Sequence, residues 1–245
     1  MDDTRFLKRH RADSWFWGLL WLYVMMVVIV GFEPPVRRRF FDEVQEPASW
    51  ALVIHVWSYS AWLCLLAIQA YLAGTKRLQL HRTFGLAMLP LAAVMIWSGM
   101  ASELAFQARR LADGRSAADF FAVSSTYIAT FTVLVPLAWM ARRRAAAHKR
   151  LILMATAAIL GGAHLRIWGG WWPEAWFDVY AFRVFYFFGG SMIIVAMGMI
   201  HDLATRRALH PVYKIGAPAL LAVYALAIVA FDSPLWAAFV EPYLR

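Results

Sequence analysis

The sequence has little charge and almost no cysteine. Charged residues make up 16% of its 245 positions, and Cys64 is the only cysteine. Soluble domains carry about 25% charged residues, so this chain has too little charge to cover a water-exposed surface. A single cysteine cannot form an intrachain disulfide, which excludes a disulfide-stapled scaffold and leaves the redox compartment undetermined.

Common motifs of nucleotide and metal chemistry are also missing. The sequence contains no Gly-Lys-Ser/Thr loop, no Gly-x-Gly-x-x-Gly and no His-Glu-x-x-His. These absences argue against nucleotide binding and against a metalloprotease. The seventh apolar stretch contains no lysine, which excludes a retinal Schiff base there. We expect no metal ion site, and the sequence leaves open whether the protein is an enzyme.

Long apolar stretches dominate what is present. Apolar residues make up 62% of the chain, and it contains 13 Trp, 17 Phe and 9 Tyr. Seven stretches have the length of a membrane crossing: 15–32, 47–75, 83–102, 120–141, 151–172, 184–201 and 215–231. Crossing the hydrocarbon core takes about 20 helical residues, and lipid offers no partner to free backbone groups. We therefore predict an all-α membrane protein, a single domain over residues 1–245 with seven transmembrane helices.

The distribution of Lys and Arg predicts how the chain is oriented. Fifteen lie in the N-terminal segment and in the turns on the same side, against seven on the other side. The positive-inside rule then places residues 1–13 in the cytoplasm and residues 232–245 at the outer surface of a bacterial inner membrane. The Asp-Ser-Pro sequence at 232–234 predicts a turn, after which the chain is too short to span.

The net charge of +9 fits the same interpretation. Its charges lie in short turns between apolar stretches, not on one continuous face, so we expect no nucleic-acid partner. We expect contacts with membrane lipid, including anionic headgroups. Subunits of a membrane complex are a further possible class of partner.

Three cytoplasmic turns share a short pattern in which an Arg stands four residues before a His. The pairs are Arg77 and His81, Arg144 and His148, and Arg206 and His210. Residues four apart share a helix face. We interpret the chain as one leading helix followed by three similar helix hairpins. Convergence is the alternative, because the positive-inside rule selects basic turns.

Titratable residues gather in the outer third of the predicted helices, where such residues are functional candidates by default. His55, Trp62 and Gln69 recur every seven residues and form one stripe, with Tyr59 beside it. We predict an outer pocket lined by seven residues: His55, Tyr59, Trp62, Glu103, His164, Arg166 and Arg183.

Only one of His164 and Arg166 should face this pocket, because two residues are about 200° apart on a helix. We expect Arg166 to face inward, since an ion gains more from burial among partners. The alternative for the pocket is purely structural: interhelical hydrogen bonds and a Glu103–Arg ion pair.

A second predicted site lies in the cytoplasmic turns, where helix N-termini and basic residues attract anions such as lipid phosphate. Its residues are His81, Arg82, His148, Lys149, Arg150 and His210. The alternative is that these are topology charges that snorkel to the surface.

These sites favour binding or transport of a small anionic or amphiphilic ligand in the outer pocket. A membrane-embedded electron-transfer protein is the first alternative, with a b-type haem held by His55 and His164. The second is an accessory subunit of a membrane complex.

Four short motifs occur in order: His55-x6-Trp62-x6-Gln69, Leu80-His81-Arg82-x2-Gly85, His148-Lys149-Arg150 and Arg166-Ile167-Trp168. Together they resemble a bacterial multi-pass membrane family of unknown function, whose members carry a His-Arg-x-x-Gly hairpin and a His-Lys/Arg-Arg hairpin. The resemblance covers roughly residues 50–170. It implies that the matched positions matter, and it implies no reaction. Those positions are His55, Gln69, His81, Arg82, Gly85, His148, Arg150 and Arg166.

Overall fold

A computed structural model describes residues 4–7, 10–41 and 48–244. Parts of the two predicted terminal segments, residues 1–3, 8–9 and 245, lie outside this description. The described residues contain no strand, and one 3₁₀ turn spans Glu174–Asp178. The helices are α1 (Thr4–Leu7), α2 (Ala12–Phe40), α3 (Trp50–Gly74), α4 (Leu78–Ala112), α5 (Ala118–Met140), α6 (Ala145–Ile159), α7 (Gly161–Trp168), α8 (Tyr180–Arg206), α9 (Pro211–Phe231) and α10 (Pro234–Leu244).

Six of these helices are long and apolar enough to cross a membrane: α2, α3, α4, α5, α8 and α9. The pair α6 and α7 makes a seventh span, bent by 46° at its break. The predicted all-α membrane fold is therefore confirmed. The long helices extend beyond their apolar stretches, since α4 alone has 35 residues.

The bend in the fifth span separates residues that the sequence places on one helix. It falls at Leu160, directly before Gly161 and Gly162, and glycine pairs are a usual cause of sharp kinks. A Cβ on Gly161 would overlap the ring of Tyr127 on α5. The glycine therefore lets α5 approach the break, and α7 leaves in a new direction with His164 and Arg166.

The spans pack as a leading helix and three hairpins, α3–α4, α5–α6 and α8–α9. Helices α5 and α8 are central, and about half of the residues in the most apolar segment of each are buried. Helices α2 and α3 lie at the periphery and are mostly exposed. Phe131, Met154, Phe188 and Ile194 are fully buried between α5, α6 and α8. The leading helix α2 packs against α7 and α8.

The two ends of the bundle differ in the segments they hold. The end with the three Arg/His turns and the start of α2 is called the basic end, and the end with the loop between α4 and α5 is called the distal end. Helix α10 lies at the distal end, where the Trp236 indole N–H donates to the carbonyl of Ala118 at 2.8 Å. Val240 and Leu244 pack beside Ala117. With 11 residues, α10 is too short to span a membrane.

Candidate functional site

His55, Tyr59, Glu103 and Arg166 form what we call the distal polar cluster. Helix α3 supplies His55 and Tyr59, one turn apart, with ring centres 4.0 Å from each other. Tyr59 also lies against α4, because a Cβ on Gly99 would overlap its hydroxyl. Within the described chain, the buried Nδ1 of His55 has no hydrogen-bond partner. The imidazole is thus held by packing and keeps a nitrogen available.

Glu103 on α4 is oriented by two side chains. Both Gln107 Nε2 and Ser124 Oγ donate to its Oε1, and Ser124 belongs to α5. The other carboxylate oxygen, Oε2, receives no hydrogen bond from the described residues. The α4–α5 contact therefore fixes the carboxylate and leaves one oxygen able to accept a further donor.

Arg166, on α7, is the cation of the cluster. Its side chain is exposed, its Nη1 donates to the Gly162 carbonyl at 2.8 Å, and its guanidinium lies 4.7 Å from the ring centre of Phe32 on α2. It lies within electrostatic range of His55 and Glu103. In the part of the chain that the structure describes, Arg166 has no carboxylate within the 4.0 Å of an ion pair. The cluster thus contains a cation that is not directly neutralised.

His164 corrects the expectation about burial: it is the buried residue of the two, whereas Arg166 lies in the distal polar cluster with an exposed side chain. His164 is 2% exposed. Its Nδ1 donates to the Leu160 carbonyl at 3.0 Å, so that its Nε2 accepts from the Tyr23 hydroxyl at 2.9 Å. A neutral imidazole with both nitrogens bonded is inexpensive to bury, whereas a guanidinium is not. Sequence reasoning missed Tyr23, which lies 141 residues away on α2.

Two other predicted members of the outer pocket lie elsewhere. Arg183, at the start of α8, forms an ion pair with Asp232 at the end of α9. Trp62 is 1% exposed, and its indole N–H donates to Thr156 Oγ1 at 3.2 Å in the core between α3 and α6. The cluster therefore retains four of the seven predicted residues.

At the basic end, Arg150 is buried in an ion pair. It is 1% exposed, and its Nε donates to Asp202 Oδ2 at 2.8 Å while its Nη2 donates to Oδ1. Nη1 donates to the Ala146 carbonyl at 2.7 Å. The predicted role of Arg150 in holding lipid phosphate is corrected, because Asp202 already satisfies the guanidinium inside the bundle.

His210 and Lys149 also have structural partners. His210 is 2% exposed and caps α9, where its Nδ1 accepts from the Val212 backbone N–H at 3.1 Å. The half-buried Lys149 has its ammonium 5.4 Å from the ring centre of Trp17. Arg82 is the only one of the six predicted anion-binding residues whose side chain is exposed.

A second buried ionic group ties the start of α2 to the end of α8, and sequence reasoning missed it. Asp13 accepts two hydrogen bonds from Arg206 Nη2, at 2.6 and 2.7 Å, and one from His201 Nε2 at 2.9 Å. The signal in the sequence was the rarity of acids near the basic turns, where Asp13 and Asp202 stand out.

His81 and His148 form a pair between α4 and α6. His81 Nδ1 lies 3.3 Å from the Gln69 carbonyl, and His148 Nδ1 lies 2.8 Å from the Ala138 carbonyl. The ring centres are 6.5 Å apart with perpendicular planes. A Cβ on Gly85 would lie 3.2 Å from Gln69 Nε2, so glycine there leaves room for Gln69.

The described residues hold no group of three or more His, Cys, Asp or Glu side chains that could bind a metal ion. In comparisons with known proteins, no family model, no curated protein and no solved structure matches the chain. The resemblance to a bacterial membrane family therefore stays a prediction from short motifs.

Proposed function

We propose that the protein binds or transports a small anionic or amphiphilic ligand at the distal polar cluster. The observation that carries the proposal is Arg166: an exposed guanidinium near His55 and Glu103 that has no directly paired carboxylate among the described residues. A cation without a direct ion-pair partner in a membrane-spanning helix costs up to about 2.5–3.5 kcal/mol, the value at the bilayer centre. An anionic group of a ligand would offset that cost.

The neighbours of Arg166 favour a singly charged amphiphilic ligand, and a hydrogen-bond donor beside its anionic group would add a contact. Glu103 Oε2 would accept from that donor, and a bare dianion would be repelled by the same carboxylate. The ring of Phe32 borders the cluster and the ring of Tyr59 belongs to it, and both would contact the apolar part of the ligand. Ligand sites commonly combine aromatic walls with a few placed polar groups.

Dodecanoate in maltoside detergent tests the proposal, with dodecanol as its uncharged analogue. Ligand at about 100 times its Kd stabilises the folded state by about 2.7 kcal/mol. We expect dodecanoate to raise the unfolding temperature of the wild type and to have little effect on Arg166→Gln.

Arg183→Gln is the matched control, because Arg183 lies at the same end of the bundle but outside the cluster. It should respond to dodecanoate like the wild type. Equal stabilisation by dodecanol, or an unchanged response of Arg166→Gln, would contradict the proposal.

We also propose that the protein lies in a bacterial inner membrane with its basic end in the cytoplasm and its distal cluster toward the outer face. The support is the excess of Lys and Arg at the basic end. Exposed cations there, Arg82 among them, would contact anionic lipid headgroups. Reporter fusions at both termini test the orientation: a cytoplasmic signal from the C-terminal fusion would refute it.

The haem alternative on His55 and His164 receives no support from the geometry. Both nitrogens of His164 already have hydrogen-bond partners, so ligation would break a buried bond to Tyr23. Among the residues that the structure describes, no contact favours the accessory-subunit alternative over ligand binding.

A further inference from the structure

We propose that His81 and His148 are the two axial ligands of a b-type haem bound between α4 and α6 at the basic end. The site shares no residue with the distal polar cluster, so this proposal does not depend on the proposed ligand-binding function. Three observations support it: how each imidazole is held, how far apart the rings lie, and which charges surround them.

Each imidazole is held by a backbone carbonyl of the preceding helix. A carbonyl only accepts, so Nδ1 carries the proton in His81, toward Gln69, and in His148, toward Ala138. The lone pair of each ring is therefore on Nε2. No described residue forms a hydrogen bond with either Nε2. Metal-ligating histidines usually donate their other ring N–H to a carbonyl or carboxylate in this way.

The spacing of the rings fits two ligands on opposite sides of one metal. With metal–nitrogen bonds of about 2.0–2.1 Å and a ring centre about 1.1 Å further on, trans imidazoles have centres about 6.4 Å apart. The observed separation is 6.5 Å. A direct hydrogen bond of about 2.9 Å between the two imidazoles would bring the ring centres to about 5.2 Å. Two imidazoles on one tetrahedral metal ion would also have their centres about 5.2 Å apart.

A trans pair without further protein ligands favours haem. No third His, Cys, Asp or Glu in the described residues joins the pair, which argues against a tetrahedral or octahedral ion held by side chains alone. Haem supplies four in-plane nitrogens itself and needs only two axial ligands. Cofactor sites of this kind form between facing helices of bundles.

The surroundings supply cations for the haem propionates. Arg82 follows His81 directly, and Arg144 stands one turn before His148; both side chains are exposed at the basic end. Arginine pairs with carboxylates by paired N–H donors. Both imidazoles are half-buried, so the site would lie where the bundle meets the cytoplasmic membrane surface.

An optical spectrum of the purified full-length protein tests this inference. The chain is produced with added 5-aminolaevulinate, purified in maltoside and titrated with haemin. We expect one haem per chain by pyridine haemochrome assay, with the low-spin spectrum of two histidine ligands after dithionite reduction. His81→Ala and His148→Ala should each lower haem occupancy below about one tenth of the wild-type value.

His55→Ala is the matched control, since it removes a histidine outside the pair and should keep the spectrum. If an alanine variant fails to fold, His148→Met keeps the inference testable. Methionine also ligates haem iron, so the variant should retain haem with a shifted spectrum.

Three results would each overturn the inference. They are monodisperse wild type that binds no haemin, unchanged haem spectra in both alanine variants, and stoichiometric binding of monovalent copper by the pair in place of haem. None of them would affect the dodecanoate result, so failure here is distinguishable from failure of the ligand-binding proposal.

Discussion

The buried ion pair of Arg150 and Asp202 gives the sharpest stability prediction. Both side chains are 2% exposed, and the backbone N–H of His210 also approaches Asp202 Oδ2 at 3.4 Å. The carboxylate therefore joins three segments of the basic end: α6, α8 and the start of α9. Replacing Asp202 by Asn preserves the shape of the side chain and removes its charge.

We expect Asp202→Asn to lower the free energy of unfolding by about 3–5 kcal/mol, because it leaves the Arg150 guanidinium buried without a counter-charge. The double variant Arg150→Met/Asp202→Leu removes both charges. Apolar replacement of a whole buried pair is often neutral or stabilising by about 1–4 kcal/mol. The double variant should therefore recover most of the loss.

Unfolding titrations in mixed detergent micelles measure the free energy of unfolding of the wild type, of Asp202→Asn and of the double variant. Asp232→Asn is the control, since it breaks the Arg183–Asp232 pair, whose side chains are 20% and 43% exposed. Exposed pairs contribute about 0–1 kcal/mol. The prediction is contradicted if Asp202→Asn lowers the free energy of unfolding no more than the control does, or if the double variant is as unstable as Asp202→Asn alone.

Two further predictions concern packing inside the bundle. The hydrogen bond from Trp62 to Thr156 should give a coupling energy of about 0.6 kcal/mol, and at most about 1.7, in a double-mutant cycle of Trp62→Phe and Thr156→Val; zero coupling would show that the bond contributes nothing. Gly190→Ala should destabilise by about 1–3 kcal/mol, because its Cβ would overlap the ring of His164. Gly18→Ala, whose Cβ would meet nothing within 4 Å, should be neutral or stabilising by up to about 1 kcal/mol, because alanine has the higher helix propensity; equal effects of the two substitutions would contradict this explanation.

The spans were predictable from sequence because an apolar stretch of about 20 residues has one stable arrangement in lipid, a helix. The break in the fifth span was not. Gly161 and Gly162 are visible in the sequence, but glycine pairs also occur in straight helices. The bend accompanies the approach of the Tyr127 ring to Gly161, a contact between residues 34 positions apart that no local pattern reveals.

Depth along the helices put His55, Glu103 and Arg166 at one level, and in the structure Arg166 lies within electrostatic range of the other two. Depth could not assign His164. Helical phase shows only that the side chains of His164 and Arg166 point in different directions. Which of the two is buried depends on the hydrogen-bond partners available to each. The hydroxyl of Tyr23 on the leading helix supplies that partner, and the packing of α2 on α7 was not deducible from the sequence.

The buried acids at the basic end were missed for a different reason. The positive-inside rule counts Lys and Arg and gives acids little weight, so Asp13 and Asp202 carried no information in the topology argument. An acid next to a basic turn is costly to bury unless it is paired. That consideration alone would have predicted internal partners for both, although not that the partners are Arg206 and Arg150.

Internal pairing also bears on the orientation of the chain, because a cation neutralised inside the protein attracts anionic lipid less strongly. The described ion pairs neutralise Arg150 and Arg206 at the basic end. At the distal end they involve Arg37, Arg110 and Arg115, which are among the seven cations counted there, and also Arg183. The sequence assigns fifteen cations to the basic end and seven to the distal end, so pairing removes a larger share from the distal end. The excess of Lys and Arg at the basic end therefore survives, and under the proposed orientation we expect variants that break the buried pairs to keep the basic end on the cytoplasmic side.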